Sequence, residues 1–299
     1  MSVAEPLLIA AGLLILLAWL GWRGRRSRLR LLAAVAVERL ELRSRFLRQR
    51  RTLSVYLPPG YSAAPARPYP LLLLNDGQDA GALRLRETLA RLAAAGRIES
   101  PIVVAIPTGA GRLQEYGTAG RASSLGLGRR ARAYSRFVVE EALPLVAGRY
   151  PIAAQPEGVA ILGASLGGLS AFDIAWNHPD VFGAVGVLSG SFWWSRKRRR
   201  GEPAGADRRL AHEMARQRPA GAARPRVWLQ AGSRDEIADR DHNGVIDAIQ
   251  DSLELAALMT AGGGTAAYVE VPFGRHDPAT WAGVLPDFLV WAFGRRPVS

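Results

Sequence analysis

The stretch VAILGASLGGLSAFDIA, residues 159–175, carries an aliphatic run into a glycine-flanked serine and out through a helical pattern. Within it, Gly163-Ala164-Ser165-Leu166-Gly167 reads G-x-S-x-G, the arrangement of a serine on a sharp turn between a buried strand and a helix. So tight a turn leaves no room for a Cβ at the flanking positions, and glycine supplies the space. The turn lifts the Ser165 hydroxyl above the sheet edge. A helix opening near Leu166 aims unpaired amides, and its positive dipole end, at the same spot. Donors placed there would stabilise an oxyanion, so Ser165 is a candidate nucleophile. The alternative is a glycine-rich turn with Ser165 as the helix N-cap.

On either side of this stretch, β-like runs bounded by Gly, Pro or Asp alternate with helical patterns from residue 34 onward. Strands are expected at Thr52–Leu57, Pro70–Asn75, Ile102–Ile106, Val159–Leu162, Ala184–Leu188, Val227–Gln230 and Ala267–Val271. Helices are expected at about 84–95, 131–147, 167–177, 247–261 and 279–293. This alternation predicts an α/β fold, a mainly parallel twisted sheet with helices on both faces. Residues 195–226 break the rhythm: the segment is basic, interrupted by Pro and Gly, and carries one helical pattern around Arg209–Arg216. It is expected to run over one end of the sheet as a cap or lid, or as a solvated connection.

A serine nucleophile needs a base, and the chain has 4 histidines to choose from. His178 ends the helix after Ser165, His212 lies in the basic excursion and His242 lies in an acidic loop. His276, in VPFGRHDPATW, follows the last strand and precedes the last helix, and it alone completes the order nucleophile, acid, base. The acid is expected in Gly232-Ser233-Arg234-Asp235-Glu236, after the strand RVWLQAG. Asp235 is the first choice and Glu236 the second; the task of either is to hold the His276 tautomer and stabilise the imidazolium. Trp193 and Trp194, just beyond a strand, are candidates for the wall of an acyl or aromatic pocket, the other reading being core, where large aromatics near a strand end more often lie.

Several of these motifs together resemble the esterase family of the α/β-hydrolases, which includes enterochelin esterases, esterase D type enzymes, feruloyl esterases and mycolyltransferases. The resemblance covers about residues 38–294. It runs through RTLSVYLPPGY (51–61), YPLLLLNDGQD (69–79), ARAYSRFVVEEALPLV (131–146), GASLGGLSAFDIAWNHPDVFGAVGVLSGSFWW (163–194) and FGRHDPATW (273–281). It implies an α/β-hydrolase fold and ester or acyl-transfer chemistry through Ser165, His276 and the acid at Asp235 or Glu236. It also implies an oxyanion hole made by the backbone amides of Gln78 and Leu166. Asn75-Asp76-Gly77 departs slightly from the family pattern, where an aliphatic residue or Leu-Asp-Gly is usual, and the excursion after Trp194 has no clear counterpart.

A second acidic pattern, Asp239-Arg240-Asp241-His242-Asn243-Gly244-Val245-Ile246-Asp247, reads D-x-D-x-N-G-x-I-D. Asp239, Asp241, Asn243, the Val245 carbonyl and Asp247 occupy the places that ligate calcium in a twelve-residue loop, with glycine at the turn. Position twelve is Gln250 instead of a bidentate glutamate, with Asp251 beside it. Calcium across 239–251 would be structural, since a serine triad requires no cofactor. The other reading is a turn whose acids cap the helix beginning near Asp247.

With 299 residues, 48% hydrophobic and 22% charged, the chain can build one large α/β domain, residues 31–299, with a substantial core. Having no cysteine, it has no disulfide, thiolate metal site or cysteine nucleophile. The formal charge of +13 is almost all arginine, Lys197 being the only lysine, and no RNA-binding or zinc-finger motif accompanies it. No nucleic-acid partner is therefore expected.

Much of the excess lies at residues 23–51, which hold eleven Arg against Glu38 and Glu41. Before it, Pro6–Trp22 is uncharged and as a helix would span roughly 25 Å. Trp19, Trp22 and the arginines from Arg23 to Arg30 make its flank that of an uncleaved anchor. Residues 1–30 are thus expected to form a single-pass membrane anchor with a basic juxtamembrane segment, the alternative being an amphiphilic leader or a signal peptide. The positive-inside rule puts the hydrolase domain in the cytoplasm, with the extracytoplasmic side as the alternative.

The function expected is hydrolysis of a small-molecule, lipid or glycan ester through an acyl-enzyme on Ser165. The alternatives are an acyltransferase using the same triad and a non-catalytic, membrane-tethered binding module.

Overall fold

The computed structural model describes residues 29 and 31–295, except 204 and 220. The anchor expected over residues 1–30 lies outside these apart from Leu29, and among the described residues no helix is long and apolar enough to cross a membrane.

Eight strands form one sheet in the order β1-β2-β4-β3-β5-β6-β7-β8. They are β1 (Ala36–Ser44), β2 (Gln49–Leu57), β3 (Leu71–Asn75), β4 (Ile102–Ile106), β5 (Val159–Ala164), β6 (Ala184–Leu188), β7 (Arg226–Arg234) and β8 (Ala266–Arg275). The pairs β1–β2 and β2–β4 are antiparallel, and every other pair is parallel. The expected mainly parallel α/β architecture is the one observed. β3, β4 and β6 are buried at every residue, which fits their unbroken aliphatic runs, because a strand covered on both faces has no polar side to show.

Strand β1 was not expected from the sequence. Of its nine residues only Leu40 and Ser44 are buried, and Glu38, Arg39, Glu41 and Arg43 intervene. Such charge suits an edge strand, where it blocks pairing with another chain, but it hides the hydrophobic signal.

Among the described residues, six helices of seven residues or more cover the two faces: α1 (Leu85–Ala94), α2 (Ala131–Phe137), α3 (Leu166–Asn177), α4 (Leu210–Gln217), α5 (Asp247–Ala261) and α6 (Pro278–Phe293). The continuous helix expected over 131–147 is instead α2, a wide π turn at Val138–Ala142, and a last turn at Leu143–Ala147. Pro144 has no amide to give the usual ladder, which is consistent with the wider turn there. Helices α2 to α5 pack over one face around Tyr134, Phe137, Phe172 and Trp194. Helices α1 and α6 cover the other around Leu85, Leu89, Trp228 and Phe288.

The excursion at 195–226 lies on the α3–α5 face. Ser195 bridges Arg209, and the Leu210 amide donates to the Trp194 carbonyl at 2.9 Å. Arg196 is buried between Glu202 and Glu213.

Strand β3 is the switch point: the chain moves from it to β4 on one side, then returns to β5 on the other. In open α/β sheets a crevice forms there, at the carboxyl ends of the strands.

Phe288, fully buried, packs edge-on to Trp228 at 5.8 Å and fills the space that a Cβ on Gly186 would occupy. Phe288→Ala should cost about 3–5 kcal/mol, read as a lower urea midpoint with an unchanged slope.

Candidate active site

Ser165 joins β5 to α3 with φ 55° and ψ −125°, a conformation few residues other than glycine adopt. Such a backbone costs about 1–3 kcal/mol and must be held by its surroundings. The Ser165 amide donates to the Leu188 carbonyl at 2.8 Å, and its own carbonyl accepts from Gly168, Leu169 and Ser191 at 3.0, 3.1 and 3.2 Å.

The flanking glycines are required by close approach. A Cβ on Gly163 would stand 2.2 Å from the Gly167 carbonyl oxygen, and one on Gly167 would stand 2.6 Å from Asp76 Oδ2. The Ser165 side chain caps no helix amide. Its oxygen faces the buried Ser191 hydroxyl at 3.4 Å.

Asp235 follows β7, and His276 follows β8. The β7–β8 register slips between Gly232 and Arg234. A bulge of this kind re-aims the side chains beyond it. At Gly232 a Cβ would strike the Gly274 carbonyl and Asp235 Oδ1, so the missing side chain lets the carboxylate fold under the loop.

Burial raises the Asp235 carboxyl above the usual range, opposed by the Gly232 amide, the Ser189 hydroxyl and the His276 ring. Burial lowers His276, against the charge of Asp235 and with the help of Arg112. The imidazole is therefore biased toward the neutral form a base needs. Glu236 turns elsewhere, toward the Ala248 amide and the charges of Asp247 and Asp251, and burial raises its carboxyl. Of the two acids in this loop, Asp235 is the one whose charge bears on the His276 ring.

The loop after β3 lies against the first turn of α3. Asn75 Nδ2 donates to the Gly167 carbonyl at 2.8 Å and accepts on Oδ1 from Tyr134 at 2.7 Å. Asp76 is left-handed at φ 54°, and its amide donates to the Tyr116 hydroxyl at 2.8 Å. A Cβ on Gly77 would stand 2.6 Å from the Ala105 carbonyl carbon, so only glycine fits. This turn carries Gln78 past the end of β3. Leu166 supplies the first amide of α3, which helix geometry leaves without an intrahelical acceptor.

Sequence reasoning did not find Arg112. Its guanidinium grips Asp76 with both arms, Nε to Oδ1 at 2.8 Å and Nη2 to Oδ2 at 2.7 Å, and its charge reaches His276. One arginine among so many, at the start of the short helical turn Arg112–Glu115, carries no spacing signal. The departure at Asn75-Asp76 thus has a structural role: Asn75 ties the loop to α3, and Asp76 holds Arg112.

Two further expectations divide. Trp194 is fully buried, its ring lying where Cβ atoms on Gly117 and Gly128 would be, so it is core and lines no substrate pocket. Trp193 is 45% exposed and borders a cavity of about 470 Å³ with Ser195, Arg208 and Arg240.

In the 239–251 loop the acids are engaged by protein donors. Asp239 accepts from the Asn243 and Gly244 amides at 3.1 and 2.9 Å, Asp241 from Gln250 at 2.5 Å, and Asp247 from the Arg240 amide at 3.0 Å. The Asn243 side chain accepts from the Val245 amide at 2.8 Å. Arg240 also pairs with Asp251, so a cation already sits among the carboxylates. Among the described residues no group of three or more His, Cys, Asp or Glu side chains is arranged to hold a metal.

The chain matches the Esterase family model, described as "Putative esterase", over residues 44–292. It belongs to the Esterase family. Among its relatives in that likeness is the Iron(III) enterobactin esterase of Escherichia coli (strain K12), 28% identical over 153 residues, which are 51% of this chain and 34% of that protein. The enterochelin esterase of Shigella flexneri superposes with a TM-score of 0.66 at 22% identity, covering 86% of this chain and 57% of that one. A ferulic acid esterase superposes at 0.64 with 20% identity, covering 87% and 97%. At such identities the superpositions speak for the fold alone. This member of the Esterase family spans between 34% and 58% of the length of the curated relatives it matches.

Gly163→Ala should force β5 and α3 apart at the serine turn, costing about 1–3 kcal/mol. Thermal denaturation and labelling by a fluorophosphonate probe would then both be impaired, and a variant with the parent's midpoint and labelling rate would contradict the close approach.

Proposed function

We propose that this chain is a serine hydrolase of carboxylic esters, with Ser165 as nucleophile, His276 as general base and Asp235 as the acid that orients it. The observation that carries the reading is the left-handed Ser165 turn at the switch point, with Asp235 and His276 on the ends of strands farther along the same edge. The Ser165 oxygen attacks the ester carbonyl carbon while its proton passes to His276, and Asp235 stabilises the imidazolium. The bond to the alcohol oxygen then breaks, and His276 returns the proton to that oxygen. Water adds to the acyl-enzyme, giving a proton to His276, and the acid departs as Ser165 is reprotonated.

The amides of Gln78 and Leu166 are the proposed donors to the oxyanion, with the Arg112 charge on the same edge adding to their field. Leu113, Trp193, Ile237 and Phe273 are exposed on the loops that follow β4, β6 and β7 and at the end of β8. They favour an ester with an apolar or aromatic group over a highly charged one.

The test is intact-mass measurement after fluorophosphonate treatment, with p-nitrophenyl esters of increasing chain length assayed alongside. A single adduct is expected on the parent, none on Ser165→Ala, and much slower labelling of His276→Ala. Asp235→Asn should lower kcat by about 10³- to 10⁴-fold, whereas Glu236→Gln should change it by less than about threefold. A folded parent that takes no adduct would end the hydrolase reading.

The lowered His276 pKa sets a pH expectation. The rate falls as pH drops through that pKa and the base is protonated, so the acid limb of kcat/KM should have its midpoint below about 6.5, the ordinary imidazole value. A midpoint above that value would contradict the described environment of the ring.

A further inference from the structure

The turn after β6 brings another hydroxyl to the site. Ser189 is 2% exposed and left-handed at φ 47°, a conformation glycine takes freely and other residues seldom do. A side chain at such a position carries backbone strain that its own contacts must sustain. The Ser189 amide donates to the Gln230 carbonyl at 2.8 Å, which fixes the turn onto β7. Its hydroxyl oxygen accepts from Trp281 Nε1 at 2.8 Å.

An indole N–H can only donate, so Ser189 must be the acceptor in that bond and its own hydrogen has to point elsewhere. The acceptor available is Asp235. Both of its carboxylate oxygens are buried and make no hydrogen bond, and the Ser189 hydroxyl is the side-chain donor that neighbours them. Trp281, in the first turn of α6, also stands edge-on to the His276 ring, with centroids 5.3 Å apart and planes at 80°.

We propose that Trp281 and Ser189 are positioning residues that form a one-way hydrogen-bond relay: the indole donates to Ser189, Ser189 donates to Asp235, and the same indole ring fixes the plane of His276. This inference rests on the Ser165, His276 and Asp235 reading and adds what holds the last two in register. Asp235 must stay ionised to stabilise the imidazolium, yet burial opposes its charge, and a donated hydrogen bond offsets that opposition. The other charged and titratable groups facing the pair are Glu236 beside Asp235, Tyr268 from β8, Asp277 at the start of α6, and Arg112 from across the site.

The test compares full-length parent, Ser189→Gly, Ser189→Ala, Trp281→Phe and Ser165→Ala in hydrolysis of p-nitrophenyl butyrate across pH, with proton NMR of the His276 Nδ1 hydrogen. Ser189→Gly keeps the left-handed turn and removes only the hydroxyl, and Trp281→Phe keeps a ring beside His276 and removes only the donor. Loss of the Ser189 hydroxyl should lower kcat by about tenfold to a hundredfold, the scale of one hydrogen bond to a charged group, with KM little changed. The His276 acid limb should move to higher pH, because a carboxylate that has lost this donor holds the protonated imidazole more strongly, and the Nδ1 resonance should move downfield. Trp281→Phe should move the limb the same way by less. Folded Ser189→Gly and Trp281→Phe variants with the parent's pH profile and resonance would overturn the relay, even if kcat fell. Should Ser165→Ala itself retain hydrolysis, the triad reading is what has failed.

Discussion

The site depends on one approach of backbone to backbone, between Gly163 at the end of β5 and Gly167 in the first turn of α3. Because neither carries a Cβ, the helix can start almost on top of the strand, and Ser165 between them is driven into a conformation that serine alone would not choose. The strain is sustained by the sheet: the Ser165 amide is bound to β6 through Leu188, and Asn75 at the end of β3 holds the Gly167 carbonyl. A serine turn gripped from the strands on both sides cannot relax without disturbing them.

Around that fixed point the electrostatics are arranged in opposition. Burial disfavours the charged forms of both Asp235 and His276, while each draws the other toward ionisation. Arg112 pushes the imidazole toward neutrality from one side, and its own charge is satisfied by Asp76 so that it stays in place. The outcome is an imidazole biased toward neutrality beside a buried carboxylate, with the Gly232 amide and the Ser189 hydroxyl as the donor groups nearest to it.

What could be read from the sequence was whatever the chain states locally. The core strands, the helix spans and the placement of Ser165, Asp235 and His276 at loops after β5, β7 and β8 follow from periodicity, glycine spacing and order along the chain. β1 escaped because an edge strand carries charges where a buried strand carries aliphatics. Trp193 and Trp194 could not be told apart in sequence, because an aromatic residue after a strand looks the same whether it turns outward or, as Trp194 does, into a space left by Gly117 and Gly128. Arg112, Ser189 and Trp281 act through contacts between distant segments, 36 residues apart for Arg112 and Asp76 and 92 for Ser189 and Trp281, so no local pattern announces them. The acidic pattern at 239–251 is spaced like a cation loop, yet Arg240 lies within it, and only the folded chain shows that arginine turning in toward Asp251.

The hairpin at the sheet edge also sets the direction in which the molecule presents itself. Ala36 pairs with Leu57, and Tyr56 with Val103, so β1 begins level with the amino-terminal ends of the parallel strands. Ser165 stands at their carboxyl ends, the length of a five-residue strand away, or roughly 17 Å. A body held through the chain that leads into β1 would therefore turn the edge that carries Ser165 outward, away from whatever holds it.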